Sequence, residues 1–280
     1  MADVITGNTQ LGATKQDLIA ALVQKELKFN AKLLPFVTDV SMFAVKGAKS
    51  VSFPKLDSFT VQNRATATAG DIQALTAAAD KLDLNINAYV SWLIDSMDEA
   101  QTTIEAQMEF AKRAAAAHAR YVDEQIIAVA EAAAYLDIGA APITYDMILD
   151  GREQLVKSFA DLSQSLLLVG PDQEKAILKI TEFKEAQVYG QAVIPNGQIG
   201  TILGLPVMVH QGVATGKAYM WSKEAIAIAF QKQPMMGEQP EIAYGVGAKR
   251  VAIDQLFGVK AMQLGQLGAG VAQSPLIVKM

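Results

Sequence analysis

The stretch MDEAQTTIEAQMEFAKRAAAAHARYVDEQIIAVAEAAAYLDI, residues 97–138, contains neither glycine nor proline, and its reading decides the fold. Ser96-Met97-Asp98-Glu99 supplies a capping box at its start. Ile104, Met108, Ala111, Ala115, Val122, Ile126 and Val129 mark an apolar stripe at helical spacing. The run Ala114–Ala117 has the strongest helix propensity of any residue type. A helix from 97 to 135 would be roughly 58 Å long at 1.5 Å per residue, against a mean helix of about 12 residues. A helix of that length is a structural axis. Heptads are not sustained along it, which argues against a coiled coil. Its carboxylates Asp98, Glu99, Glu105, Glu109, Asp123 and Glu124 read as a solvated face or as partners between subunits.

Upstream, residues 1–13 are polar and without periodicity. Thr14-Lys15-Gln16-Asp17 reads as a helix start, and Leu18, Ile19, Leu22, Val23 and Leu27 follow at helical spacing until Pro35 stops the pattern. Val51-Ser52-Phe53-Pro54 reads as a short strand. Residues 57–80 are rich in Ala and Thr and poor in large apolar side chains, with Phe59, Val61, Ile72 and Leu75 the main ones. The expectation is a segment that is mobile or lies on a neighbour. Leu82, Leu84 and Ile86 alternate with Lys81, Asp83, Asn85 and Asn87, a period-two strand with one dry face. Two strands flanking such a tip predict a long protruding hairpin whose dry face a single copy leaves uncovered. A lone hairpin is marginal in water.

Downstream of Pro142 the texture becomes α/β. Residues 146–159 are predicted helical, and Ser165-Leu166-Leu167-Leu168-Val169 reads as a buried strand. Pro171-Asp172-Gln173-Glu174 opens another helix with proline where its missing N–H is harmless. Asn196-Gly197 signals a turn. Ile199–Leu203 and Val207–His210 read as short strands separated by Gly204-Leu205-Pro206. Ser222 with Glu224 opens a short helix or a strand containing Ala225–Ile228. Val251–Ile253 and Phe257–Met262 read as two closing strands.

The 280 residues suffice for a sizeable core. Charged residues are only 19% of the chain and the net charge is −5. The densest basic pairs, Lys112-Arg113 and Lys249-Arg250, make no basic face, so tight nucleic-acid binding is not expected. The absence of cysteine excludes disulfides, thiolate catalysis and zinc–sulfur sites. Met1-Ala2-Asp3-Val4 does not resemble a signal peptide, and no run of 18 apolar residues exists. The expectation is a soluble protein made in a cytoplasm.

A search for chemistry yields little. Gly212-Val213-Ala214-Thr215-Gly216-Lys217-Ala218 has three residues between its glycines where a phosphate loop has four, and Ala218 stands where the magnesium-binding hydroxyl belongs, so it reads as a turn. The two histidines, His118 in the long helix and His210 at a strand end, lack paired-ligand spacing and read as packed or surface residues. Met235-Met236 suits an adaptable contact or loop packing. No catalytic, cofactor-binding or metal-binding residue is assigned.

The order of elements and three local segments carry a resemblance. Asn196-Gly197-Gln198-Ile199-Gly200-Thr201-Ile202-Leu203-Gly204-Leu205-Pro206-Val207, then Ala218-Tyr219-Met220-Trp221-Ser222-Lys223-Glu224-Ala225-Ile226, then Phe257-Gly258-Val259-Lys260 occur in one order and spacing. The chain resembles the major capsid proteins of tailed bacteriophages, whose fold is shared with herpesvirus capsid floors and bacterial encapsulins. The resemblance implies an α+β fold: an N-terminal arm at 1–45, an extended β-hairpin loop at 46–90, and a peripheral domain with the spine helix at 91–141 and about 222–262. An α/β axial domain at 142–221 and a C-terminal segment at 263–280 complete it. It further implies a non-enzymatic virion protein that self-assembles as pentamers and hexamers into an icosahedral capsid. Partners would be scaffolding, portal and possibly decoration proteins, and packaged double-stranded DNA held by weak contact. Assembly would occur in the host bacterial cytoplasm. A scaffolding function is expected on a separate protein, since no long helical segment precedes the arm. Some relatives weld subunits through a Lys–Asn isopeptide bond. Lys49 and Lys55 could supply the lysine, but residues 231–245 contain no Asn. An encapsulin-type cargo shell and, more remotely, an α/β enzyme built on 142–262 are the alternatives.

Overall fold

The computed structural model describes residues 31–56, 63, 77–94, 104–133, 136–138, 142–157, 160–180, 198–246, 248–262 and 277–280. The N-terminal helix start, most of 57–76, the capping box at 96–99 and the Asn196-Gly197 turn lie outside these residues.

The long helix α1 runs Ile104–Ala133, 30 residues and about 45 Å. Ala111, Ala114, Ala115, His118, Ala119, Val122, Asp123, Ile126, Ile127 and Ala130 are its buried positions, an unbroken i, i+3, i+4, i+7 stripe. Asp123 is on this stripe and only 1% exposed, which corrects its reading as part of a solvated face. Leu136–Asp137 forms a strand, β5, and residues 97–103 and 134–135 of the expected helix lie outside the described residues.

Two sheets share this helix. Strands β1 (Thr38–Asp39), β4 (Ile86–Ile94), β10 (Ile226–Pro240) and β11 (Lys249–Ala261) form a four-stranded sheet in the order β1-β10-β11-β4. Strands β5, β6 (Ser165–Val169), β7 (Gln198–Ile202), β8 (Leu205–Val209), β9 (Ala218–Ser222) and β12 (Ile277–Lys279) form a second, ordered β5-β12-β9-β6-β8-β7. Ala111, Ala114 and Ala115 of α1 pack with Ile253, Val90 and Trp92 of the four-stranded sheet. Farther along, Val122, Ile126 and Ile127 join Leu166, Leu168, Trp221, Ile228 and Phe257 in a cluster drawn from both sheets. Phe257 stacks edge-on with Tyr121 and lies tilted against Phe230.

The run Leu166-Leu167-Leu168-Val169 is apolar without alternation because both faces of β6 are covered. Leu166 and Leu168 face the α1 cluster. Leu167 and Val169 face helices α2 (Tyr145–Lys157) and α3 (Pro171–Ile177) through Ile148, Leu155 and Ile177.

Three strand boundaries differ from the sequence reading. Val251–Ile253 and Phe257–Met262 are one continuous strand, β11, because Asp254 and Gln255 keep their ladder partners Tyr89 and Ala88. The β7–β8 turn is Leu203-Gly204, both with positive φ, as a two-residue I′ hairpin requires; Leu205 and Pro206 belong to β8. Met235-Met236 lies inside β10 rather than in a loop.

The hairpin strands are β2 (Ser50–Leu56) and β3 (Ala77–Asp83), paired from Ser50–Asp83 to Leu56–Ala77. Residues 77–80 are therefore paired strand. The alternation across 81–87 is real, but the chain breaks at Leu84-Asn85 between β3 and β4. Its dry face is also not left uncovered. Leu82 and Leu84 are buried with Val40, Val51, Ala227, Ala229 and Met262 of the same copy. Gly258 permits this approach: a Cβ there would sit 2.1 Å from the Asp83 carbonyl oxygen.

Candidate functional site

Of the residues that sequence reasoning considered for chemistry, the two histidines lie in different surroundings. Residues 212–217 are turn and bend, as read. Among the described residues no group of three or more His, Asp or Glu could hold a metal ion. His118 is 1% exposed. Burial pushes its pKa below the ordinary 6.5, opposed by the Ile253 backbone and the Asp254 charge. It sits at the α1–β11 contact as a neutral ring.

His210 and Asp123 meet. The His210 Nδ1 accepts from the Gly212 backbone N–H at 3.0 Å, which leaves the ring proton on Nε2, 3.3 Å from Asp123 Oδ2. Both ring nitrogens thus have a partner within the chain. The carboxylate also accepts from the backbone N–H groups of Lys32, at 3.1 Å, and Leu33, at 3.2 Å. A buried carboxylate is tolerated only when its oxygens are so supplied. Sequence reasoning missed this site because its members are about 90 residues apart; an acidic residue on the apolar stripe of a helix was the available signal.

The segment that follows is tied down in sequence. Trp221 Nε1 donates to the Phe36 carbonyl at 3.1 Å, Thr38 Oγ1 to the Lys223 carbonyl at 3.0 Å, and β1 pairs in parallel with β10. Ser41 Oγ accepts from Phe230 N–H. Gln231 Nε2 donates to the carbonyls of Val45 and Ala48. On this pinned backbone Met42, Phe43 and Val45 are 81%, 56% and 67% exposed.

A second apolar group projects from the β10–β11 turn, where Ile242, Tyr244 and Val246 are 81%, 55% and 94% exposed. The first group is anchored beside Ile228–Gln231 in the first half of β10 and the second follows the far end of that strand at Pro240. Solitary exposed apolar residues are ordinary, but grouped ones mark contact surfaces. Met235 is exposed between them. Ion pairs brace the surroundings: Lys232 with Asp254 on the ribbon, Arg250 with Glu241 at 3.7 Å near its turn, and Lys217 with Glu131 of α1. The Lys217 ammonium holds the Glu131 carboxyl below its usual range. Glu109 pairs with Arg113 on the exposed side of α1. Lys49 is exposed beside β2; Lys55 lies within β2.

A family model described as phage capsid protein matches residues 32–244. No curated protein matches the sequence. Solved structures share the fold at low identity. A chain of Mycobacterium phage Che8 aligns at TM-score 0.71 and 17% identity, covering 89% of this chain and 90% of that one. One from the mature capsid of bacteriophage PhiM1 aligns at 0.64 and 12%, covering 89% and 86%. One from the head of Helicobacter pylori bacteriophage KHP40 aligns at 0.64 and 12%, covering 87% and 86%.

Proposed function

The chain belongs to the phage capsid protein family, as a structural protein of the virion shell, and on that premise we propose that many copies of it close an icosahedral capsid around double-stranded DNA, as pentamers and hexamers. The observation that carries the assembly reading is the pair of separate exposed apolar groups, Met42/Phe43/Val45 beside the first half of β10 and Ile242/Tyr244/Val246 beyond its far end. Two unlike patches on one rigid body favour heterologous contacts, which generate rings and closed shells instead of isolated dimers. The role is structural and not enzymatic. A net charge of −5 repels DNA phosphate mildly, so packaged DNA is held loosely. Scaffolding and portal proteins are the expected partners, and the host cytoplasm is the place of assembly.

The domain division belongs to the same proposal. Residues around α1, β10 and β11 act as the peripheral part, and 142–221 as the axial part. That α2, α3 and one face of β6, β8 and β9 share a core of their own supports it. Leu136–Asp137 and Ile277–Lys279 join the axial sheet.

Light scattering after size exclusion, with negative-stain microscopy, tests the reading. Capsomers or shells are expected. A stable monomer at all practical concentrations overturns it. Family membership favours a phage shell over an encapsulin-type compartment, and nucleic acid rather than an enzyme inside particles made during infection is the matching outcome.

A further inference from the structure

We infer that Asp123 and His210 form the positioning clamp that sets the course of residues 32–45 over the body of the subunit, and hence where Met42, Phe43 and Val45 are presented to a neighbouring copy. The inference rests on the assembly reading above and adds to it a residue-level determinant.

Asp123 reaches out from the middle of α1 and is 1% exposed. Its Oδ2 accepts from the Lys32 N–H and faces His210 Nε2, while its Oδ1 accepts from the Leu33 N–H. One carboxylate therefore ties together three parts of the chain: the spine helix, the end of β8, and the first described residues of the N-terminal segment. The side chains beside the clamped amides reinforce it, with Ala31 3% and Leu33 0% exposed. His210 is oriented in turn by the Gly212 N–H on Nδ1, which fixes the tautomer that donates to the carboxylate. Lys32 itself points away and is exposed.

Asparagine cannot fill this role by simple replacement. Asparagine at 123 presents one acceptor oxygen and two N–H groups. Its N–H groups must face either the Leu33 amide or the Lys32 amide and His210 Nε2–H together, and either orientation sets donor against donor. Helix α1 needs no such carboxylate for its own folding, since its neighbours Val122, Ile126 and Ile127 already supply apolar burial. What the carboxylate adds is direction. Backbone N–H groups bound to a charged acceptor are held more firmly than by neutral bonds. The segment that runs from Lys32 to Val45 thus starts from a fixed point and heading.

The test compares the wild-type chain with Asp123→Asn, His210→Ala and His210→Gln. Glutamine can still donate through Nε2 and accept through Oε1. Hydrogen exchange at residues 32–36 reads the clamp, circular dichroism reads the fold, and electron microscopy reads the shells. Asp123→Asn and His210→Ala are expected to stay folded, to exchange roughly tenfold or more faster at Lys32 and Leu33, and to give open or irregular particles. His210→Gln is expected to restore both protection and closure. Unchanged exchange in Asp123→Asn overturns the clamp. Fast exchange with shells of wild-type diameter overturns its positioning role. Failure of both Asp123→Asn and His210→Ala to fold would make the pair ordinary core and would also overturn it. If the wild-type chain builds no shells, the assembly reading fails, and the exchange data still decide the clamp.

Discussion

Truncating Leu82 to alanine separates two accounts of the hairpin root. Leu82 is 0% exposed and packs with Val40, Val51, Leu84, Ala227, Ala229 and Met262 inside one copy. Its surroundings come from four chain segments, and Gly258 holds the backbones together at close range, so collapse into the void is limited. Leu→Ala changes at such sites cost about 2–5 kcal/mol, and the upper half of that range applies here. Against a total stability of roughly 5–15 kcal/mol, and at roughly 2–4 °C per kcal/mol for chains of this size, the melting temperature should fall by about 10 °C. Urea denaturation and thermal melting of the unassembled chain, followed by circular dichroism, measure it. Tyr89→Ala is the control: Tyr89 is on β4 but 57% exposed, so its change should stay within about 0.5 kcal/mol. If Leu82→Ala melts with the wild type before assembly and fails only in shells, then Leu82 packs on a neighbour, and the intramolecular core assigned to the hairpin root is wrong.

Placing a charge on the ribbon tip, as Ile242→Glu with Val246→Glu, should leave the unassembled chain's melting unchanged and abolish particles in the microscope; normal particles would show that the tip makes no contact. Burial lowers the His118 pKa, so the unfolded chain takes the proton first: this residue's contribution is whole above pH 6.5 and is lost as pH falls below that value toward the folded pKa. Wild-type stability should therefore drop more steeply than that of His118→Leu as the pH falls below 6.5, as read by denaturant midpoints, and parallel curves would contradict it. Because residues 231–245 contain no Asn, particles boiled in detergent should run as one band near 29.9 kDa; a ladder of multimers would show a covalent weld. Replacing residues 58–76 by a short Gly-Ser bridge spares the β2–β3 ladder, so the fold should survive while closed shells are lost; closure without the segment would deny it a clasping role.

Periodicity made the main elements legible. The α1 stripe, the apolar β6 run, Pro171 at a helix start and the 81–87 alternation all report which side of an element is dry, and that is a local property. What stayed hidden depends on partners distant in sequence. Asp123 looks like any helical carboxylate until the Lys32 and Leu33 amides arrive about 90 positions away. Asp254 and Gln255 look like an interruption until β4 supplies their ladder partners. Leu82 looks unpartnered until Ala227 and Ala229 come beneath it, small residues whose burial leaves no periodic mark. The exposure of Ile242, Tyr244 and Val246 could not be read at all, because three apolar residues in a short turn are equally consistent with a packed loop.

The unbroken run of β11 has a mechanical meaning. Its residues Lys249–Phe257 lie between β10 on one side and β4 on the other, and its last residues, Gly258–Ala261, continue the ladder with β10 alone. Tension along such a ribbon loads the flanking hydrogen bonds together, in shear, whereas tension across it would open them one at a time. A shell filled with confined polyelectrolyte is stretched in its own plane. A ribbon of this kind, laid in the plane of a stretched shell, resists that stretch along its strongest direction. Two shorter strands joined by a flexible break would have placed a weak link in the line of force.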